Sequence, residues 1–484
     1  MEKESNIIAN NVLTQIIGRL IVLALSLISI KLVTNYLGPE GTGYYNTVIT
    51  YLSFFITFAD FGLFSVGVRE IAKNPARTRE ILGNIFSIRI ISALLAVTIA
   101  YLIVAFTNYP PEIKNGVLVA AVFPIFNLAA SVYDIYFQYR LEMKKAAIAE
   151  VISRIVSVTT IYLAIVFNLG FYYVMASVSI SAAINFFIKY LYAARRTKIA
   201  FAYQPQISRW ILKLSIPLGI VFIVNNFYFK VDTLILFYFK GATDVGIYSV
   251  AYKVLETTVF AAAFLAYSLK PLLSVSVEKD KEKASRATTK GLLFLLFMSL
   301  CIAIACVPFS KEIIIFFSNS SFLGGAPVLI ILSFASIFIY LNILFGEIMI
   351  AKDMRKYLIW VSLSVLAFNV ATNIIFIPKY SYLAAASTTL ASEILLLILG
   401  YIFVSRQLPL RLDFFRSAKL LFSALLAIVL ALLLKAIGLY FIIGIILSLG
   451  FYLFSAYAVD AVPKHLINDY LFSIKNKWTR NSQL

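Results

Sequence analysis

The feature that most constrains this chain is a succession of apolar stretches, each long enough to cross a lipid bilayer as a helix, separated by short polar breaks. A crossing helix needs roughly 20 mainly apolar residues, because the hydrocarbon layer is about 30 Å thick and a helix rises about 1.5 Å per residue. Such runs fall near 10–36, 43–67, 82–107, 115–139, 147–168, 170–193, 211–239, 243–273, 288–308, 325–350, 357–378, 381–404, 417–436 and 438–460. Together they use most of the 484 residues, and 61% hydrophobic against 13% charged residues, with a mean hydropathy of +0.91, leaves too little polar surface for a soluble fold. The expected fold is all-α: a polytopic membrane protein of about 14 transmembrane helices. The opening MEKESNIIANN lacks the pattern of a removable signal peptide, so the first run is expected to remain as a span.

Orientation follows from Lys and Arg, because basic loops are retained on the cytoplasmic side during insertion. One set of alternate loops carries Arg69, Lys73, Arg77 and Arg79, then Arg195, Arg196 and Lys198, then Lys279, Lys281, Lys283 and Arg286. The opposite set carries only Lys114, Lys240, Lys311, Lys379 and Lys435. Both termini are therefore expected in the cytoplasm, with the chain in the cell (inner) membrane. The net charge of +19 then reflects topology and contact with anionic membrane lipids, and no nucleic-acid partner is expected.

The chain also repeats itself. Gly38-Pro39-Glu40-Gly41-Thr42-Gly43-Tyr44-Tyr45, after the first span, matches Gly241-Ala242-Thr243-Asp244-Val245-Gly246-Ile247-Tyr248, after the seventh, 203 residues later. Met143-Lys144-Lys145 and Met354-Arg355-Lys356 match at an offset of 211. The register is that of two parallel six-helix repeats, followed by two extra C-terminal helices. The expected organisation is a lobe over 1–200, a second over 201–410, two added spans over 411–460 and a cytoplasmic tail over 461–484. Parallel repeats in transporters generally enclose a central site exposed alternately to each side.

Charges inside the spans locate candidate sites, since a charge at mid-membrane costs about 2.5–3.5 kcal/mol unless it finds a partner or water. Arg19 and Lys253 are too deep to reach an interface, and Glu256, one turn after Lys253, can pair with it locally. Lys230 and Asp232 are two residues apart and so face different neighbours. Glu393 and Asp60 are the candidates for ion coupling. Lys31, Lys189 and Lys270 are expected to snorkel from span ends, with Arg89, Arg154, Glu150 and Glu347 near the cytoplasmic boundary. Cys301 and Cys306 lie in one apolar run and the single histidine, His465, lies in the tail, so no cofactor, metal site or disulfide framework is implied and no enzymatic base is evident.

Several of these segments carry a family resemblance. Leu37-Gly38-Pro39 through Gly43-Tyr44, Phe61-Gly62-Leu63, Val68-Arg69-Glu70-Ile71-Ala72, Lys230-Val231-Asp232 and Gly246-Ile247-Tyr248-Ser249-Val250-Ala251-Tyr252-Lys253 together resemble the oligosaccharide (O-unit, polysaccharide) flippases of the multidrug, oligosaccharidyl-lipid and polysaccharide exporter superfamily. The resemblance implies a two-lobed bundle with a cationic cavity that carries a polyprenyl-diphosphate-linked oligosaccharide to the outer leaflet. Glycosyltransferases or a polymerase of the same pathway would then be partners. Arg19 stands where the related lipid-precursor flippases place a basic residue in the first span, and Lys253 with Glu256 where they place a basic and acidic pair. Tyr45 to Leu52 lacks the basic residue those flippases keep in the second span, which argues against the peptidoglycan precursor as cargo. One alternative is a cation-coupled multidrug exporter of the same superfamily, and another is a membrane glycosyltransferase or polymerase. The absence of a carboxylate in the first span disfavours the former, and the lack of a sizeable polar loop disfavours the latter.

Overall fold

The computed structural model describes residues 2–259, 281–352, 354–410 and 412–461. These residues are almost entirely helical, and there is no strand among them. The helices are α1 (Glu2–Asp60), α2 (Leu63–Lys73), α3 (Thr78–Ala105), α4 (Pro111–Val119), α5 (Val122–Tyr139), α6 (Met143–Val166), α7 (Phe171–Ala194), α8 (Pro205–Lys240), α9 (242–259), α10 (Lys281–Phe317), α11 (Gly325–Ala351), α12 (Arg355–Ser405), α13 (Phe414–Ala436) and α14 (Phe441–Ala458).

Among the described residues, 11 helical stretches are long and apolar enough to cross a membrane, so the chain is a multi-pass membrane protein. Two exceed a single crossing: α1 has 59 residues and α12 has 51, or about 88 and 76 Å at 1.5 Å per residue. Each is interrupted where two expected spans meet. In α1 the break is Gly38 (φ 64), followed by Pro39; in α12 it is Ser381 (φ 53), three residues after Pro378. A left-handed residue beside a proline ends one helix and starts the next with no intervening loop. Against the expected 14 spans, the described residues hold 11 such stretches, two of them double-length, and the expected span 243–273 runs past 259 out of the described residues. Lys270, Lys279, His465 and the tail beyond 461 also lie outside them.

The structure forms two compact units. The first comprises Met1–Val250 with Phe316–Phe322 and Val370–Ala385. Its core joins Leu63, Val66 and Ile71 of α2 to Ile81, Leu82 and Ile85 of α3, Tyr133 and Phe137 of α5, and Ile211 of α8. The short α2 is amphipathic: those three residues face inward, while Arg69 and Lys73 stay exposed and bracket the buried Glu70. Lys31 Nζ donates to Ser318 O at 2.8 Å, in the turn just after α10.

The second unit comprises Ala251–Ile315, Leu323–Asn369 and Ala386–Leu484. Here α13 and α14 pack on α10 through Leu420, Ala424, Ala427, Tyr452 and Ala456 against Leu293, Leu300 and Ile304. Small residues let the helices approach closely, which matters in lipid because burial from water supplies no force there. Polar pins supplement the contact: Tyr452 stacks on Phe297 at 5.2 Å, and Lys435 Nζ donates to Pro308 O at 2.7 Å and Glu312 Oε2 at 3.0 Å.

Candidate substrate site

Five charged side chains from four helices converge within the first unit: Arg19 of α1, Asp134 of α5, Glu150 and Arg154 of α6, and Lys189 of α7. The convergence begins with packing. A Cβ on Gly18 would lie 3.0 Å from Ala147 Cβ, so α1 runs close against α6 one residue before Arg19 and one turn before Glu150. Lys189 Nζ is 2.8 Å from the Asp134 carboxylate, and both are largely buried. Lys189 is therefore neutralised within the bundle and does not snorkel.

Glu150 lies within electrostatic reach of Lys189, Asp134, Arg19 and Arg154. The charge of Arg154 also reaches Tyr45, on the other side of the Gly38 break in α1 from Arg19. Ser181 Oγ donates to Ser153 O at 2.8 Å, and Asn185 Nδ2 donates to Ser153 Oγ at 3.2 Å, so the lining of α6 and α7 beside these charges is polar too. Glu150 and Arg154 sit seven and eleven residues into α6, about 10 and 17 Å from its start. The helix begins at Met143, four residues before the apolar run expected from 147. The one available sequence signal was their i, i+4 spacing, which puts them on one face.

Other expected site residues have local partners. Asp60 pairs with Arg89, whose side chain is fully buried. Arg89 is therefore neutralised within the first unit, as Lys189 is. Asp232 is buried, accepting from Tyr248 Oη and, at 2.7 Å, from Thr233 N. Lys230, two residues before it on α8, is partly exposed. In the second unit, Lys253 Nζ is 2.6 Å from Glu256 Oε2, with the two side chains 40% and 47% exposed. Glu393 is buried and accepts from Asn342 Nδ2 at 2.7 Å on its carboxylate and 2.9 Å on its carbonyl. Asn369 Nδ2 donates to Ser392 Oγ at 3.1 Å beside it, and Glu347 is buried as well.

Charged and polar groups held inside long apolar helices, two of them broken and of double length, define a multi-pass membrane protein with polar sites within its bundle. Residues 8–274 match the polysaccharide biosynthesis protein family, and residues 217–375 match the MatE family. The capsular polysaccharide biosynthesis protein CapF of Staphylococcus aureus is 25% identical over 377 residues, which covers 76% of this chain and 92% of CapF. A membrane protein of Methanocaldococcus jannaschii, MJ1068, is 26% identical over 410 residues, 78% of this chain and 80% of that one. In fold, the chain is similar to the lipid II flippase MurJ in an inward closed conformation, with a TM-score of 0.77 and 14% identity over 93% of this chain and 98% of MurJ. It is also similar to an inward-facing multidrug resistance transporter of the MATE family, with a TM-score of 0.65 and 14% identity over 81% and 98% of the two chains. The chain belongs to the polysaccharide biosynthesis protein family.

Proposed function

We propose that this protein moves a polyprenyl-diphosphate-linked oligosaccharide from the cytoplasmic to the outer leaflet of the cell membrane by alternating access, with both termini in the cytoplasm. The observation that carries this reading is that two arginines of the first unit, the exposed Arg19 and the half-buried Arg154, lie within electrostatic reach of the same group, Glu150. A diphosphate and several sugars taken through hydrocarbon would lose their hydration, and guanidinium groups replace it with short, charge-assisted hydrogen bonds. The prenyl tail needs no such help and stays in lipid. Within the second unit, Lys253 is assigned to cargo binding, and Glu393, buried against Asn342, is the carboxylate assigned to ion coupling. Asp60 and Asp232 are assigned structural roles, since Arg89 and Tyr248 already engage them.

A second reading, a cation-coupled drug exporter, is favoured by the MatE match over residues 217–375. The two readings separate in proteoliposomes holding the purified protein. Translocation of a fluorescent undecaprenyl-diphosphate oligosaccharide that falls at least tenfold in Arg19→Ala and Arg154→Ala supports the flippase. Unchanged translocation in both variants, or transport of a lipophilic cation in place of the lipid, overturns it.

A further inference from the structure

Beyond the Gly38 break, α1 carries a polar stripe. Asn46, Thr50, Ser53 and Thr57 recur every three or four residues and so share one helix face over about 17 Å. Asp60, next in the series, is engaged by Arg89. Other faces of this segment are packed: Val48 lies against Gly116 of α4, Tyr51 Oη donates to Ala100 O of α3 at 2.9 Å, and Ala59 joins Ala93 and Leu128. The stripe itself is half-buried, and a row of amide and hydroxyl groups is matched by water or a polar ligand, not by lipid.

Its hydrogen bonds determine what it can recognise. Ser53 Oγ donates to Thr50 O at 2.7 Å and Thr57 Oγ1 donates to Ser53 O at 2.9 Å, so each hydroxyl has given its one proton to its own helix. Asn46 Nδ2 donates to Thr42 O at 2.9 Å and to Ser249 Oγ at 3.0 Å, which occupies both of its protons. The groups left over are acceptors: Asn46 Oδ1 and the Ser53 and Thr57 oxygens, with the Thr50 hydroxyl unengaged among the described residues. A diphosphate, itself an acceptor, gains nothing from them, whereas sugar hydroxyls supply the missing donors. Phe54 and Phe58 each follow a stripe residue by one position, and the Phe227 ring of α8 lies 4.3 and 5.7 Å from theirs. Phe58 stays 43% exposed, so an aromatic edge of the kind that takes the apolar face of a sugar ring flanks the acceptors.

We propose that this stripe is a glycan track, which binds the sugars of the cargo through their hydroxyl groups, apart from the diphosphate. The inference rests on the proposed flippase reading and adds to it a preference for the glycan. Two fluorescent probes test it on the full-length protein in detergent: undecaprenyl diphosphate bearing chitotriose, and the same lipid bearing no sugar. The native protein should bind the sugar-bearing probe at least tenfold more tightly. Ser53→Ala combined with Thr57→Val should cut that preference to twofold or less. Affinity for the bare probe and the melting temperature should not change, since neither hydroxyl ties one helix to another. Thr57→Ser should keep the native preference, and Arg19→Ala should weaken both probes alike. A native preference in the double variant, or an equal loss of both probes there, overturns the track and leaves the flippase reading standing where Arg19→Ala still weakens both. A native protein that binds both probes equally also overturns the track, and one that binds neither overturns both readings.

Discussion

Gly43 and Gly246 make a reciprocal backbone contact: a Cβ on Gly43 would lie 1.7 Å from Ala242 O, and a Cβ on Gly246 would lie 1.9 Å from Pro39 O. Gly43 and Gly246 are 203 residues apart, as are Pro39 and Ala242, and Asn46 Nδ2 donates to Ser249 Oγ across the same offset at 3.0 Å. The two turns thus meet through equivalent atoms, and only glycine admits the approach, since any side chain would displace a peptide carbonyl. In a Cys301→Ala, Cys306→Ala background, the pair Asn46→Cys and Ser249→Cys should cross-link efficiently on mild oxidation. Adding Gly43→Ala should cut the yield several-fold, and an undiminished yield would show that the contact does not depend on glycine.

Asp60 and Arg89 pose a different constraint. The Arg89 side chain is fully buried, and its Nε and Nη1 have no hydrogen-bond partner among the described residues, so Asp60 alone balances it. Removing one member of a buried pair strands the other, at a cost of about 3–5 kcal/mol, whereas replacing both with apolar residues is often nearly neutral. Asp60→Ala should therefore lower the melting temperature of the purified protein markedly, and Asp60→Leu with Arg89→Leu should restore most of the loss. A double variant no better than the single one would contradict this account.

These cases mark what was legible in the sequence. Apolar run length fixed the class, and the glycines of the repeated turn sat where the chain reverses. The Lys253–Glu256 pair followed from i, i+3 spacing alone. Arg89 with Asp60, Lys189 with Asp134, and Lys31 with Ser318 were hidden, because their partners are 29, 55 and 287 residues distant and only tertiary packing joins them. Hydropathy measures depth along one helix and is blind to the neighbour beside it.

Glu142, between α5 and α6, gives a pH dependence. Its partial burial raises its pKa, but the hydrogen bond and charge of Lys145, with the charges of Arg196 and Arg140, outweigh this and hold it below the ordinary carboxylate value. Lys145 Nζ is 2.6 Å from Oε2, and Arg196 pairs with Oε1. A depressed folded pKa means the contribution is complete above the unfolded value of about 4.3 and is lost as pH falls through the folded value below it. Glu142→Gln should cost about 0.2–1 kcal/mol at neutral pH, as partly exposed pairs do. The difference in melting temperature between native and variant protein should hold from pH 7 to 5 and close as pH drops below about 4. A difference that widens on acidification would reverse the assignment.

Asn84 offers the sharpest test of how the segment between α7 and α8 is held. Its Oδ1 accepts from Gln204 N at 2.8 Å and Ser208 Oγ at 3.0 Å, its Nδ2 donates to Glu80 O at 2.9 Å, and Ser87 Oγ accepts from Ala202 N at 2.9 Å. Both α3 side chains are fully buried, and Gly83 beside them leaves room for Ala200 O, 3.0 Å from where its Cβ would stand. Residues 199–204 have no helix or strand of their own, so these side chains replace the missing backbone pairing. Asn84→Ala would leave two donors unsatisfied in a buried place, at about 1–3 kcal/mol each. That is enough to release the segment locally while the bundle persists. Arg195, Arg196 and Lys198 flank it, so limited trypsin digestion reports its release directly. Cleavage there should accelerate at least tenfold in Asn84→Ala and less in Ser87→Ala, which frees one donor only. If both variants are cut at the native rate, the segment is held by something other than α3.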